Sequence, residues 1–197
     1  PAVPAPHQAG LRTIGANERR LARLGHYYSG TLHYGGEWYG GLDRLSYLEE
    51  RWNDLGIGDG KVFFDRGFRD LTAPLEGHSG SGEILELFFS VRSPFSYVGF
   101  FQARKLALAL DRPLALRPIL PMVMRGLPVP RAKRLYILTD AKREAERAGL
   151  PFGAIADPLG AGVERCYAVA WWVLETLGPA MLDRFFESAL KGIASEA

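Results

Sequence analysis

The sequence predicts an α/β fold, built on a strand, helix, strand unit over residues 83–120 and followed by an all-helical stretch over about residues 131–197. Three observations lead there. Residues 84–91 are a nearly unbroken apolar run, short and rich in Phe, which reads as a buried strand. Arg92-Ser93-Pro94 then makes a tight turn into a long Leu- and Ala-rich segment, and proline suits a first helical turn because no backbone donor is needed there. Finally, Asp111-Arg112-Pro113 breaks that helix, and residues 114–120 read as a second buried strand. Two strands joined by a crossover helix should pair in parallel.

The chain is an ordinary globular one: 197 residues, 47% hydrophobic and 23% charged, enough for one good core or two small units. A net charge of +2 gives no field that would argue for nucleic acid or a membrane surface as partner, and neither is expected. No apolar stretch approaches the roughly 20 residues needed to span a bilayer. The opening PAVPAPHQAG lacks the charged start and apolar centre of a signal peptide, and a chain beginning with Pro rather than Met is expected to lack its true start. A single cysteine, Cys166, makes no internal disulfide, which fits a reducing, cytoplasmic setting.

In order, residues 1–6 carry three prolines and read as an extended, poorly ordered lead. Residues 17–24 suggest a short helix ending at Gly25. Residues 31–34 and 37–39, joined by Gly35-Gly36, are a strong hairpin signal, with Tyr34, Trp38 and Tyr39 as packed aromatics. Asp43 is then placed to cap a helix whose Leu45, Leu48, Trp52 and Leu55 share one face and which ends near Gly56. Residues 57–82 shift to Gly, Asp, Ser and Pro and read as a linker, with HSGSG at 78–82 its clearest joint. This divides the chain into 1–56, a 57–82 linker and 83–197.

Beyond the second strand, prolines at 118, 121, 128 and 130 punctuate a loop carrying Met122, Met124, Arg125 and Gly126. Loops after the carboxyl end of a parallel strand commonly hold ligands. Residues 131–148 form a helix with Lys142 and Glu146 spaced to pair. Residues 163–177 form a far more apolar one, in which Cys166, Trp171 and Trp172 are expected in the core, and residues 181–192 form a third.

Ser93 stands at or beside the helix N-cap, where its hydroxyl either caps the helix or faces a ligand at the positive end of the helix dipole. No Gly-X-Ser-X-Gly elbow surrounds it, so a serine hydrolase is not expected. Disulfide exchange needs a thiolate and a resolving partner, which Ser93 and Ser96 do not supply. His7, His26, His33 and His78 show no metal spacing, and no metal is expected.

FFSVRSPFSYVGF, with Ser93-Pro94-Phe95-Ser96 in place of a redox Cys-Pro-X-Cys, resembles the thioredoxin-fold branch of 2-hydroxychromene-2-carboxylate isomerases and kappa-class glutathione transferases, relatives of the DsbA-type oxidoreductases. The resemblance continues through RPILPMVMRGLPVPRAKRLYILTDAKREAERAGLPF and covers about residues 83–193. HYYSGTLHYGGEWYGGLDRLSYLEERW is similar to the last two strands and final helix of such a module, as if the chain held parts of two tandem copies.

The resemblance implies a thioredoxin-like mixed sheet with an all-helical insertion, and a glutathione-dependent isomerase or transferase in which Ser93 activates the glutathione thiol. It implies glutathione as cofactor, held around Ser93, Pro94 and Phe95, with Lys133 and Tyr136, beside Arg134 and Asp140, placed to reach glutathione or a substrate carboxylate; on the residues alone that stretch is equally a solvated helix face. A small electrophilic or aromatic substrate follows, and a homodimer is allowed. Two alternatives stay open: a DsbA-like domain without redox cysteines acting as a binding or structural module, and a thiol-disulfide oxidoreductase. The family's Val-Pro bend with a cis proline, which helps hold glutathione, is replaced by Ser29-Gly30 before Thr31. For an isolated chain, open strand edges argue that the hairpin lies beside the two parallel strands in one mixed sheet.

Overall fold

The computed structural model of the chain describes residues 7–27, 29–65 and 82–196. The chain falls into two compact units, Pro1–Gly67 with Pro130–Tyr136, and Phe68–Val129 with Ile137–Ala197. The proline lead and most of the 57–82 stretch, His78 included, lie outside the described residues.

The first unit opens with α1 (His7–Arg23). It begins well before the helix expected at 17–24, because Gln8, Ala9, Leu11 and Arg12 are themselves good helix formers, and Gly10 and Gly15 weaken the run without ending it before Gly25. Strands β1 (Thr31–Tyr34) and β2 (Glu37–Gly40) pair antiparallel, with Tyr34 opposite Glu37. The turn between them needs two residues at positive φ, and Gly35 and Gly36 supply 59° and 84°. Helix α2 (Leu45–Asp54) follows a short 3-10 turn over Leu42–Arg44. Asp43 does not cap it: the carboxylate lies inside that turn and pairs with Arg44 at 2.8 Å instead. Leu48 is buried, whereas Trp52 and Leu55 on the expected apolar face remain exposed, Trp52 meeting Tyr34 edge-on at 5.8 Å.

His26 is the buried centre of this unit. Its ring stacks on Trp38 at 4.3 Å and meets Tyr136 edge-on at 4.9 Å. Burial first, and the neighbouring His33 second, hold its pKa below the usual imidazole range. A histidine whose folded pKa is lowered favours the folded state while it is neutral. That contribution is complete above the unfolded value of about 6.5 and is lost as pH falls below it, toward the folded value. Denaturation followed by Trp fluorescence should therefore show the first unit weakening below about pH 6.5, and a His26→Phe chain should lose most of that slope. An identical slope in the variant would remove His26 as its source.

The second unit holds β3 (Leu85–Phe89), α3 (Pro94–Ala109) and β4 (Leu114–Pro118), with β3 and β4 parallel and Leu85 opposite Leu114. The expected strand, helix, strand unit is thus observed, each strand shorter than its apolar run. Helices α4 (Arg131–Arg147), α5 (Ala161–Leu177) and α6 (Pro179–Ser195) complete the chain; residues 131–136 of α4 count with the first unit. Lys142 and Glu146 approach to 3.6 Å.

The core of this unit follows from helical spacing. Leu182, Phe186, Leu190 and Ala194 recur every four residues on α6, and all four are buried. They meet Phe89 of β3 and Phe100 of α3, both fully enclosed. Each such side chain removed from water contributes about 1.5–3 kcal/mol. Arg104 of α3 ties to the same helix through Asp183 at 3.0 Å and Glu187 at 2.7 Å.

Two expectations are corrected. Trp171 and Trp172 are not core: α5 buries Val163, Ala170 and Val173, which leaves the tryptophans 65% and 57% exposed. The single mixed sheet is not formed either. Among the described residues the ladders make two separate two-stranded sheets, β1 with β2 and β3 with β4. The hairpin satisfies its inward groups within itself, so nothing local obliges it to join the parallel pair.

Candidate functional site

Ser93 is the N-cap of α3, with extended backbone (φ −85°, ψ 120°) and Pro94 at the first helical position. Its hydroxyl oxygen accepts from the Ser96 N–H at 3.3 Å. A hydroxyl that accepts one bond keeps its own hydrogen to donate elsewhere. Both readings of Ser93 are therefore compatible in one geometry: it caps the helix and still offers a donor at the helix's positive end. Ser96 is placed to support the turn, its Oγ accepting from the Ser90 N–H at 3.1 Å, while the Ser93 N–H donates to the Ser90 carbonyl at 2.9 Å. Ser93 and Pro94 are half-buried and Phe95 is exposed.

Beside this turn lies a shallow, mainly apolar depression walled by Ser93, Tyr97, Phe152, Ile155, Leu190 and Ile193. Its volume of about 10 Å³ is room for one water at most. The cover is an extended strap over residues 151–160. The Tyr97 hydroxyl donates to the Pro151 carbonyl at 2.8 Å, the Gly153 N–H to Ala194 at 3.1 Å and the Ala156 N–H to Ile193 at 2.9 Å. Arg92 clamps the strap with two bonds to Asp157, Nε to Oδ1 at 2.6 Å and Nη2 to Oδ2 at 2.8 Å. That pairing raises the Arg92 pKa and engages its charge, so Arg92 presents no spare cation to the turn.

Tyr167 of α5 anchors the ends of both parallel strands: its hydroxyl donates to the Ile119 carbonyl at 2.6 Å and accepts from the Val91 N–H at 3.3 Å. Burial pushes its own ionisation up. Neither Tyr167 nor Asp157 was singled out from sequence. Both act across 48 or more residues of chain, and a lone Tyr in an apolar helix or a lone Asp before Pro carries no local sign of such a role.

The other expected site residues do not line the depression beside this turn. Lys133 and Tyr136 belong to the first compact unit. Tyr136 is buried there against His26, and Lys133 is half-buried. Asp140, further along α4, is buried in the second unit. Met124 packs against the core rather than facing an open loop. Cys166 is half-buried on α5, and burial raises its pKa, which disfavours the thiolate that exchange chemistry needs. No helix among the described residues is long and apolar enough to cross a membrane.

Neither a scan against protein-family models nor a search of curated proteins returns a match.

Proposed function

We propose that this chain is part of a thioredoxin-like, glutathione-dependent isomerase or transferase of the chromene-carboxylate and kappa-class type, working in a reducing, cytoplasmic setting. The reading rests on the Ser93-Pro94-Phe95-Ser96 resemblance. The observation that carries it is the Ser93 hydroxyl, fixed at the N-terminus of a 16-residue helix with no acceptor for its own hydrogen among the described residues. Glutathione would supply a thiol. Ser93 would donate to its sulfur and favour the thiolate, aided by the helix dipole. A hydrogen bond to a charged group is worth about 1.5–3 kcal/mol, which lowers a thiol's ionisation by about one to two pH units.

The fit is good for the sulfur and poor for the tripeptide body, because the depression of about 10 Å³ is far below the roughly 300 Å³ of an ordinary ligand pocket. That same observation favours a second reading, a DsbA-like module without redox chemistry that binds or supports another domain. The oxidoreductase reading has least support, since neither Ser93 nor Ser96 is a thiol and Cys166 is not primed.

Calorimetric titration with glutathione separates the first two. Binding to the wild-type chain, with the bound thiol ionising about one to two pH units higher in Ser93→Ala, is the expected result. Loss of the cap should also cost about 1 kcal/mol of stability. Absence of binding would leave the non-catalytic module as the answer, and an unchanged thiol titration would remove Ser93 from the chemistry.

A further inference from the structure

Three serines close a ring of hydrogen bonds at the start of α3. The Ser93 N–H donates to the Ser90 carbonyl at 2.9 Å, the Ser90 N–H donates to Ser96 Oγ at 3.1 Å, and the Ser96 N–H donates to Ser93 Oγ at 3.3 Å. A side chain at the third helical position that reaches back to a backbone N–H ahead of the helix is a form of capping box. Here it reaches Ser90, just beyond the end of β3, and so ties the strand's exit to the first turn of the helix.

The ring is anchored on both sides. Pro94, at the first helical position, has its φ fixed by its own ring, and the Val91 N–H donates to the Tyr167 hydroxyl of α5 at 3.3 Å. Ser90 is 6% exposed, so water does not readily replace Ser96 as the acceptor for its N–H.

The Ser93 oxygen takes part in the ring as an acceptor. A lone pair directed at the Ser96 N–H turns the hydroxyl hydrogen away from the helix backbone. A donor already held in one direction needs no reorganisation when negative charge develops on its partner. Disulfide exchange would need a resolving thiol three residues beyond residue 93; the hydroxyl found there holds the turn instead.

We propose that Ser96 is a positioning residue for Ser93, its hydroxyl fixing the Ser90 peptide and, through it, the direction in which Ser93 donates to a thiolate sulfur. This rests on the reading of Ser93 as thiol activator. Ser96 is engaged with Ser90, so its effect reaches the thiol only through residue 93.

Two thiols test this, one of them built into the chain. In a Cys166→Ser chain carrying Ser93→Cys, the introduced thiol stands at the N-cap and is titrated by thiolate absorbance without any ligand. Adding Ser96→Ala should raise its titration by about half a pH unit or more, roughly a threefold change in ionisation, and Ser96→Thr, which keeps the hydroxyl, should restore it. In the chain that keeps Ser93, the Ser90 amide should exchange about fivefold faster or more with Ser96→Ala. Bound glutathione supplies the second thiol. Its titration should also rise with Ser96→Ala, yet the same change should add nothing in a Ser93→Ala background, where no donor is left to position. An unmoved titration of the built-in thiol would reduce Ser96 to a cap of the fold and overturn the proposal, whether or not glutathione binds. A glutathione shift of equal size in the Ser93→Ala background would overturn it too. Failure of glutathione to bind, with the built-in thiol still shifting, would instead overturn the function proposed above and leave the positioning of residue 93 standing.

Discussion

A Phe186→Ala chain is expected to lose about 3–5 kcal/mol of stability, the usual cost of truncating an enclosed aromatic side chain. Phe186 is fully buried on α6, where it meets Phe89 edge-on at 4.8 Å and lies 5.4 Å from Phe185 and 6.5 Å from Tyr167. It joins the strand that leads into the Ser93 turn to the two helices packed behind it. The loss has a transfer part and a cavity part, and neighbours that are themselves rings in fixed packing collapse poorly into the space. Urea denaturation of the variant measures it. A loss below about 1 kcal/mol would mean that Phe89 and Tyr167 close the gap, and that the core is softer than its burial indicates.

Tyr167→Phe is expected to cost about 1–3 kcal/mol while removing a single oxygen. The hydroxyl serves two backbone groups at once, the Ile119 carbonyl beyond β4 and the Val91 N–H beyond β3. Its removal leaves both without that partner, and Val91 is 1% exposed, so no water readily takes the place of the hydroxyl. Amide exchange should identify the mechanism: the Val91 N–H should exchange faster in the variant, with amides in the middle of α6 little changed. Uniform acceleration would indicate a global loss instead of release of the strand ends.

The parts legible in the sequence are those set by neighbours in the chain. The Phe-rich run, the Ser-Pro turn and the Asp-Arg-Pro break determine β3, α3 and β4 almost by themselves, and two adjacent glycines determine the hairpin. What failed depended on distant partners. Trp171 and Trp172 looked like core because α5 is apolar nearly all round, and such a pattern does not say which face α6 will cover. Asp43 had the right spacing for a cap, but the preceding 3-10 turn gave it Arg44 instead. The pairing of the hairpin with the parallel strands was an argument from open edges, and edges do not name their occupant. At the Ser93 turn the cap was readable, while the clamp between Arg92 and Asp157, 65 residues apart, was not.

The strap over residues 151–160 bounds access to that turn. It is held by a few backbone bonds to the end of α6, one tyrosine hydroxyl and one ion pair, with the ring of Phe152 turned toward Tyr97. Segments held by so few contacts open locally at a cost well below that of global unfolding. If glutathione binds at Ser93 as proposed, its admission depends more on how often the strap lifts than on the shape of the closed depression. A ligand that needs the lifted form binds with its intrinsic affinity divided down by the small fraction of time the strap is open. On the proposed reading, loosening Asp157 from Arg92 would raise that fraction.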